Sequence, residues 1–357
     1  MSDDQTDASL SLVAAPTLGS VPNLALVASW RGRLWGVDRA KVDYVSYTEA
    51  GLQYSWPNTN LLPIGRQGSD LRGVTALIAR RDALGVGRQQ GLFQITGTSN
   101  SDFRVVTLAE NIGVESQETV KVYKDIAYFL GKDGVYSWGA DGLKNLSDNK
   151  TRAWFNTDTY FNRARFQYAF ASIDSVKNRY RLHLAAAGSS TEDRWVEYDI
   201  VDGSWWGPHK TAALTPVSAD GTTDANGAQF PLIGSSNGYL WKDQATRTDD
   251  TATAIDFDVD TKRHDGNSPM QDKMFGELTV IQMTQSTGRM TVTPSVGDLD
   301  AAAKTQTLQS DLTMSSRMIG RVGVGSAVKL NFSQATAGQN VQLLGYELEF
   351  FELGTRR

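Results

Sequence analysis

Gly234-Ser235-Ser236-Asn237-Gly238 fits the nucleophile-elbow pattern G-x-S-x-G, and His264 lies downstream with several aspartates between. That chemistry needs a strained serine on a sharp strand-to-helix turn. Here the segment joins Pro231-Leu232-Ile233 to Tyr239-Leu240-Trp241, two strand-like runs, so it is read as a hairpin turn. Asp256, Asp258 and Asp260 alternate and would share one face of a strand. Three carboxylates could hold Ca²⁺, but no loop of calcium-site spacing follows, so a solvated strand face is expected. Asp220-Gly221-Thr222-Thr223-Asp224-Ala225-Asn226-Gly227 is the better cation loop, although Asp, Asn and Gly are also ordinary turn residues.

Other chemistries are excluded by what is missing. The chain has no cysteine, which removes disulfides, thiolate nucleophiles and cysteine-held metals. Its three histidines, His183, His209 and His264, are too far apart for a helix-borne zinc pair. No Walker A or dinucleotide glycine pattern occurs: Gly131-Lys132 is followed by Asp133, and Gly85, Gly87 and Gly91 have the wrong spacing. The sialidase Asp-box and the WD and kelch signatures are also missing. With Asp+Glu at 40, the existence of some carboxylate pair says nothing about glycoside hydrolysis. No residue is assigned a catalytic, cofactor-binding or metal-binding role, no cofactor is implied, and the chain is not read as an enzyme.

The elements that would position these residues are strands. Short alternating segments bounded by Gly, Asp, Asn and Ser run through the 357 residues, which predicts an all-β fold. Only Arg152–Ala171 has room for a turn or two of helix. A weak repeat appears in Gly32-Arg33-Leu34-Trp35, Gly91-Leu92-Phe93-Gln94, Gly134-Val135-Tyr136-Ser137-Trp138 and Gly238-Tyr239-Leu240-Trp241. Arg194-Trp195-Val196-Glu197-Tyr198 is a fifth copy without the glycine. Successive starts are 59, 43, 60 and 44 residues apart, and steps in the forties suit a four-stranded propeller blade. Leu77–Val86, Tyr123–Phe129 and Ala171–Tyr180 read as inner hairpins of successive blades. Trp35, Trp138 and Trp241 hold equivalent places and are expected to pack blade against blade. Trp205 and Trp206, adjacent on a strand, must face opposite ways.

Lys242–Thr253 reads as a linker. Beyond it Phe257/Val259, Leu278/Val280, Met290/Val292, Val328/Leu330/Phe332 and Leu344/Tyr346/Leu348/Phe350 alternate strictly, which predicts a half-buried antiparallel sheet or sandwich. The expected organisation is a flexible arm over 1–21, a five- or six-bladed β-propeller over 22–250, and a β-sandwich over 251–357.

The formal charge of −5 argues against binding nucleic acid through phosphate neutralisation. No apolar run reaches the ~20 residues of a membrane span. Residues Met1 to Asp7 hold three aspartates and no Lys or Arg, the reverse of a signal peptide. The chain is expected to be soluble and made in the cytoplasm.

Ser29-Trp30-Arg31-Gly32-Arg33-Leu34-Trp35-Gly36-Val37, then Val45-Ser46-Tyr47 and Tyr54-Ser55-Trp56-Pro57, resembles the first blade of tailed-phage β-propeller tail proteins. These include the nozzle or packaged-DNA-stabilisation proteins of short-tailed phages. Gly91–Gly97 and Asp133–Trp138 look like the blades that follow. Thr261-Lys262-Arg263 and Lys273-Met274-Phe275-Gly276-Glu277-Leu278 resemble the passage from propeller to sandwich. The resemblance implies a structural virion protein assembled in the host cytoplasm as a six-fold homo-oligomer. Its partners would be the portal, the adaptor and the tail fibre or needle proteins. Its lumen would retain packaged double-stranded DNA and release it without sequence-specific binding. The alternative is a carbohydrate-binding or glycan-active propeller protein, of the tail or of a host surface.

Overall fold

The computed structural model describes residues 19, 21–65, 73–147, 151–210, 215–223, 229–242, 249–250, 253–254, 257–282, 289–297, 306–309, 315–319, 322–337, 341 and 343–355. All of the predicted arm but residues 19 and 21, most of the linker, Asp256 and 224–227 of the Asp220 loop lie outside these. The fold is nearly all β, in several four-stranded antiparallel sheets. Two compact units form, Met1–Lys210 with Leu214–Asp243, and Thr211–Ala213 with Gln244–Arg357.

The first unit is a succession of sheets, each made by consecutive strands. Sheet one holds β1 (Leu24–Trp30), β2 (Arg33–Asp38), β3 (Tyr44–Tyr47) and β4 (Leu61–Pro63). Sheet two holds β5 (Val74–Ala79), β6 (Leu84–Arg88), β7 (Gly91–Thr96) and β8 (Arg104–Ala109). Sheet three holds β9 (Lys121–Tyr123), β10 (Ile126–Gly131), β11 (Gly134–Gly139) and β12 (Gly142–Asn145). After α1 (Arg152–Asn156) and a 3-10 turn at Arg163–Tyr168, sheet four holds β13 (Phe170–Asp174), β14 (Arg179–Leu184), β15 (Arg194–Asp199) and β16 (Trp205–Lys210). Sheet five has three strands, β17 (Pro216–Thr223), β18 (Gln229–Ser235) and β19 (Leu240–Lys242).

Tight turns set this pattern. Arg31-Gly32 between β1 and β2, and Lys124-Asp125 between β9 and β10, are pairs of residues with positive φ, the two-residue turn whose twist matches an antiparallel hairpin. The three segments read as inner hairpins do join the first two strands of sheets two, three and four.

Each inner sheet supplies two cores, because alternate side chains leave opposite faces. Trp35, Val45 and Tyr47 of sheet one pack with Leu77, Leu84 and Val86 of sheet two. Ala76, Ile78 and Leu92 of sheet two pack with Phe129, Tyr136 and Trp138 of sheet three. Leu130 and Val135 of sheet three meet Tyr180, Leu182 and Val196 of sheet four, with Phe155, Phe161 and Phe166 of the connecting segment between them. Trp35 and Trp138 therefore pack between sheets, as expected, and the half-buried Trp241 joins sheet five to Phe170 of sheet four.

In the second unit, a two-residue pair, β20 (Asp249–Asp250) and β21 (Thr253–Ala254), precedes two sheets. The first sheet orders β22 (Phe257–Asp260), β28 (Val328–Gln334), β24 (Arg289–Val296) and β25 (Gln306–Gln309). The second centres on β23 (Gln271–Gln282), flanked on one side by β26 (Ser315–Ile319) and β27 (Gly323–Gly325) and on the other by β29 (Leu343–Thr355). Both sheets contribute to one core of Phe275, Leu278, Val280, Met290, Val292, Leu330 and Phe332. Val259, Leu344 and Phe350 depart from the predicted alternation and are exposed. Val259 lies on an edge strand, and Leu344 lies beside a bulge at the end of β29 that turns it out of the core.

Candidate functional site

Sheet four carries the densest set of buried polar side chains. One face packs into the core with sheet three. In-register pairing puts Phe170, Ser172 and Asp174 of β13 on the other face, with Arg179, Arg181 and His183 of β14, Trp195, Glu197 and Asp199 of β15, and Trp206 and His209 of β16. Trp205 and Trp206 do face opposite ways. Trp205 donates its indole N–H to Leu146 O of the segment after sheet three, at 2.9 Å, whereas Trp206 is 51% exposed.

Glu197 is the centre of this face. Its Oε1 accepts from Arg181 Nε at 2.8 Å and its Oε2 from Arg179 Nη1 at 2.9 Å. Arg179 also reaches Asp199 at 3.6 Å. Arg181 lies over Trp195 and Arg179 over Trp206, 4.4 and 5.4 Å from the ring centroids. Asp199 accepts backbone N–H bonds from Asp202 and Val201, which together with Arg179 hold its carboxyl below the usual range. A carboxylate with both oxygens held by guanidinium groups works as a clamp between β14 and β15, not as a general base.

His183 and His209 share this face, in the row Phe170–His183–Trp195–His209. The His183 ring stacks on Phe170 at 4.8 Å and, among the described residues, neither of its nitrogens has a hydrogen-bond partner. Burial, with Arg181 adding to it, pushes its pKa down to about 3. Burial also lowers His209, which lies 4.0 Å from Trp195. An unfolded chain binds a proton at His183 below about pH 6.5 and the folded chain does not. The stability it contributes is therefore complete above pH 6.5 and falls as pH drops towards 3, by up to about 1.4 kcal/mol per pH unit. The melting midpoint of the first unit should decline from pH 7 to 5, and His183→Leu should flatten that decline. An unchanged slope would mean that the ring is hydrated in the folded chain.

The remaining motif residues have structural uses. Ser236 is exposed in the hairpin turn closed by Gly238 N–H to Ser235 O, the turn between β18 and β19 that the sequence predicts. His264 belongs to the other unit. Asp258 and Asp260 both accept from Asn331 Nδ2 across the strand pair, and Asp260 meets Lys329 at 2.7 Å. Asp220 pairs with Lys121 at 3.0 Å.

A cavity of about 290 Å³ lies in the second unit, where Lys262–Asn267 passes over the end of β23 and β29. Phe275, Tyr346, Leu348 and Phe350 form its apolar wall. His264 Nε2 is 2.7 Å from the Tyr346 hydroxyl. His264 N–H donates to Val328 O at 2.8 Å and its carbonyl accepts from Val328 N–H, which ties the loop to β28. Lys273, fully buried, donates to the carbonyls of Ser268, Gln271 and Ser326, which lie just beyond the loop and beside β28, and its stem packs under Gly266.

Sequence reasoning passed over both the arginine clamp and this cavity. Arg179-x-Arg181-x-His183, alternating on one strand against Glu197, was the available signal for the first. The cavity joins residues some eighty positions apart and had none.

No family model and no curated protein matches the chain. Among solved structures it is similar to an exo-β-1,3-galactanase from Phanerochaete chrysosporium, at 8% identity and TM-score 0.31, over 90% of this chain and 95% of that one. It is similar to U3-55K at 11% identity and TM-score 0.35, over 60% and 62% of the two chains. The extracellular domain of a one-component system from B. thetaiotaomicron is similar at 12% identity and TM-score 0.36. That match takes in 60% of this chain and only 25% of that one.

Proposed function

We propose that this chain is a structural protein of a phage tail, not an enzyme, working as a six-fold ring that retains packaged DNA and lets it leave. The five sheets of the first unit are the blades of a propeller in this reading. Neighbouring first strands lie together, β1 with β5, β9 with β13 and β13 with β17, as inner strands around one axis do. The two sheets of the second unit are a sandwich. The likeness of Ser29–Val37 and Lys273–Leu278 to tail propellers supplies the class of protein.

The observation that carries the oligomer is an apolar row on the outer face of the second sheet of the second unit. Val324 of β27, Met274 of β23 and Phe351 of β29 stand directly opposite one another in register. Val324 is 48%, Phe351 55% and Leu353, two residues further on, 54% exposed. β29 is also an edge strand that pairs, among the described residues, with β23 alone. Contiguous apolar surface on an open strand edge suits a contact between subunits.

Co-expression with portal and adaptor proteins of a short-tailed phage tests the reading by electron microscopy and sedimentation. Rings of six chains on the adaptor are expected, and Phe351→Asp should fold normally yet enter rings at least about tenfold less. A chain that stays monomeric beside those partners overturns the function. Normal rings from the variant overturn the contact surface.

A further inference from the structure

We propose that the second-unit cavity binds an acidic sugar residue, its pyranose ring against Phe350 and its carboxylate towards Lys262. This site is independent of the ring described above. Phe350 is 44% exposed and lines the cavity, an aromatic side chain of the kind on which a sugar C–H face stacks. Gly266, at φ +56°, brings backbone against that ring: a Cβ there would sit 2.9 Å from two of its carbons. The loop thus fixes the aromatic ring at the mouth without a side chain in the way.

The polar groups around the ring are mixed. Asp265 offers acceptor oxygens, Asn267 both donors and acceptors, and the His264–Tyr346 pair a hydroxyl already oriented by its 2.7 Å bond. That mixture suits a ligand with several hydroxyls. Lys262 and Arg263 stand exposed at the rim, and Lys262 makes no ion pair among the described residues, so a carboxylate beside the ring gains a cation. The bonds from Val328 and the Lys273 stem under Gly266 preform the loop, which lowers the ordering cost of binding. About 290 Å³ accommodates one sugar residue with the chain continuing into solvent.

Saturation-transfer NMR and calorimetry on the full chain would test this with galacturonic acid oligomers, the same oligomers methyl-esterified, and oligothymidylate. The acidic oligomers should bind at millimolar concentration or below. Esterification should weaken binding at least fivefold, and Lys262→Glu should do the same for the acid while leaving the ester unchanged. Lys262 is exposed, so that variant folds; Phe350→Ala, checked for its melting midpoint, should abolish transfer to both sugars. The proposal is overturned by no transfer from the acidic oligomers, by equal affinity for acid and ester, by an unaffected Lys262→Glu, or by equal binding of oligothymidylate.

Discussion

Trp138→Ala should lower the stability of the first unit by roughly 3–5 kcal/mol, the range for removing a fully packed aromatic ring. Trp138 is 3% exposed, and its ring lies against Ile78 and Gly85 of the preceding sheet. A Cβ on Gly85 would sit 2.5 Å from the indole, so the neighbouring strand has been left bare to admit it. Arg80 covers the ring at 4.6 Å and reaches on to Asp125 of the next turn. The residue therefore closes sheet two against sheet three, and its loss leaves a cavity that two rigid sheets cannot collapse around. A unit of this size should melt roughly 6–20 °C lower. An unchanged midpoint would show that the ring contributes nothing between the sheets.

Glu197→Ala should cost a similar amount, roughly 3–5 kcal/mol, by a different route. It removes the carboxylate that meets Arg181 at 2.7 Å and Arg179 at 2.9 Å while leaving both cations where they are. Charge that is buried and uncompensated is the expensive outcome; a removed pair is not. Arg181→Met combined with Glu197→Leu should accordingly lose much less than Glu197→Ala alone, and chemical denaturation of the three proteins would read the difference. If the double variant falls further than the single one, the clamp stabilises by net attraction and the desolvation argument is wrong.

The strands were legible because turn chemistry is local. Gly91, Gly134, Arg194 and Gly238 mark third strands or the turns before them in sheets two to five, and their phrases were read as repeat units from sequence alone. Gly32 precedes the second strand of its sheet instead. A glycine followed by an aliphatic–aromatic pair encodes a hairpin, and nothing in it encodes the strand's rank. The 60-residue step from Gly134 to Arg194 reflects the helical segment around Phe155 and Phe166, which the aromatic spacing of Arg152–Ala171 had indicated. The long-range chemistry was hidden for the opposite reason. Phe350 meets Gly266 only because β29 pairs with β23, and pairing across some seventy residues leaves no short-range trace.

Sheet two is sealed on both faces, by Trp35 and its neighbours on one side and by Phe129 and Trp138 on the other. During synthesis this makes the chain's order of emergence matter. Sheet one leaves the ribosome with the Trp35 face bare and gains cover only when Leu84 and Val86 follow it out. Sheet two is then bare on its other face until Phe129 and Trp138 arrive. The nascent protein always carries one unfinished apolar face at its growing end, and a stall between Ala109 and Lys121 would hold that face open to whatever chaperone or neighbouring chain is nearest.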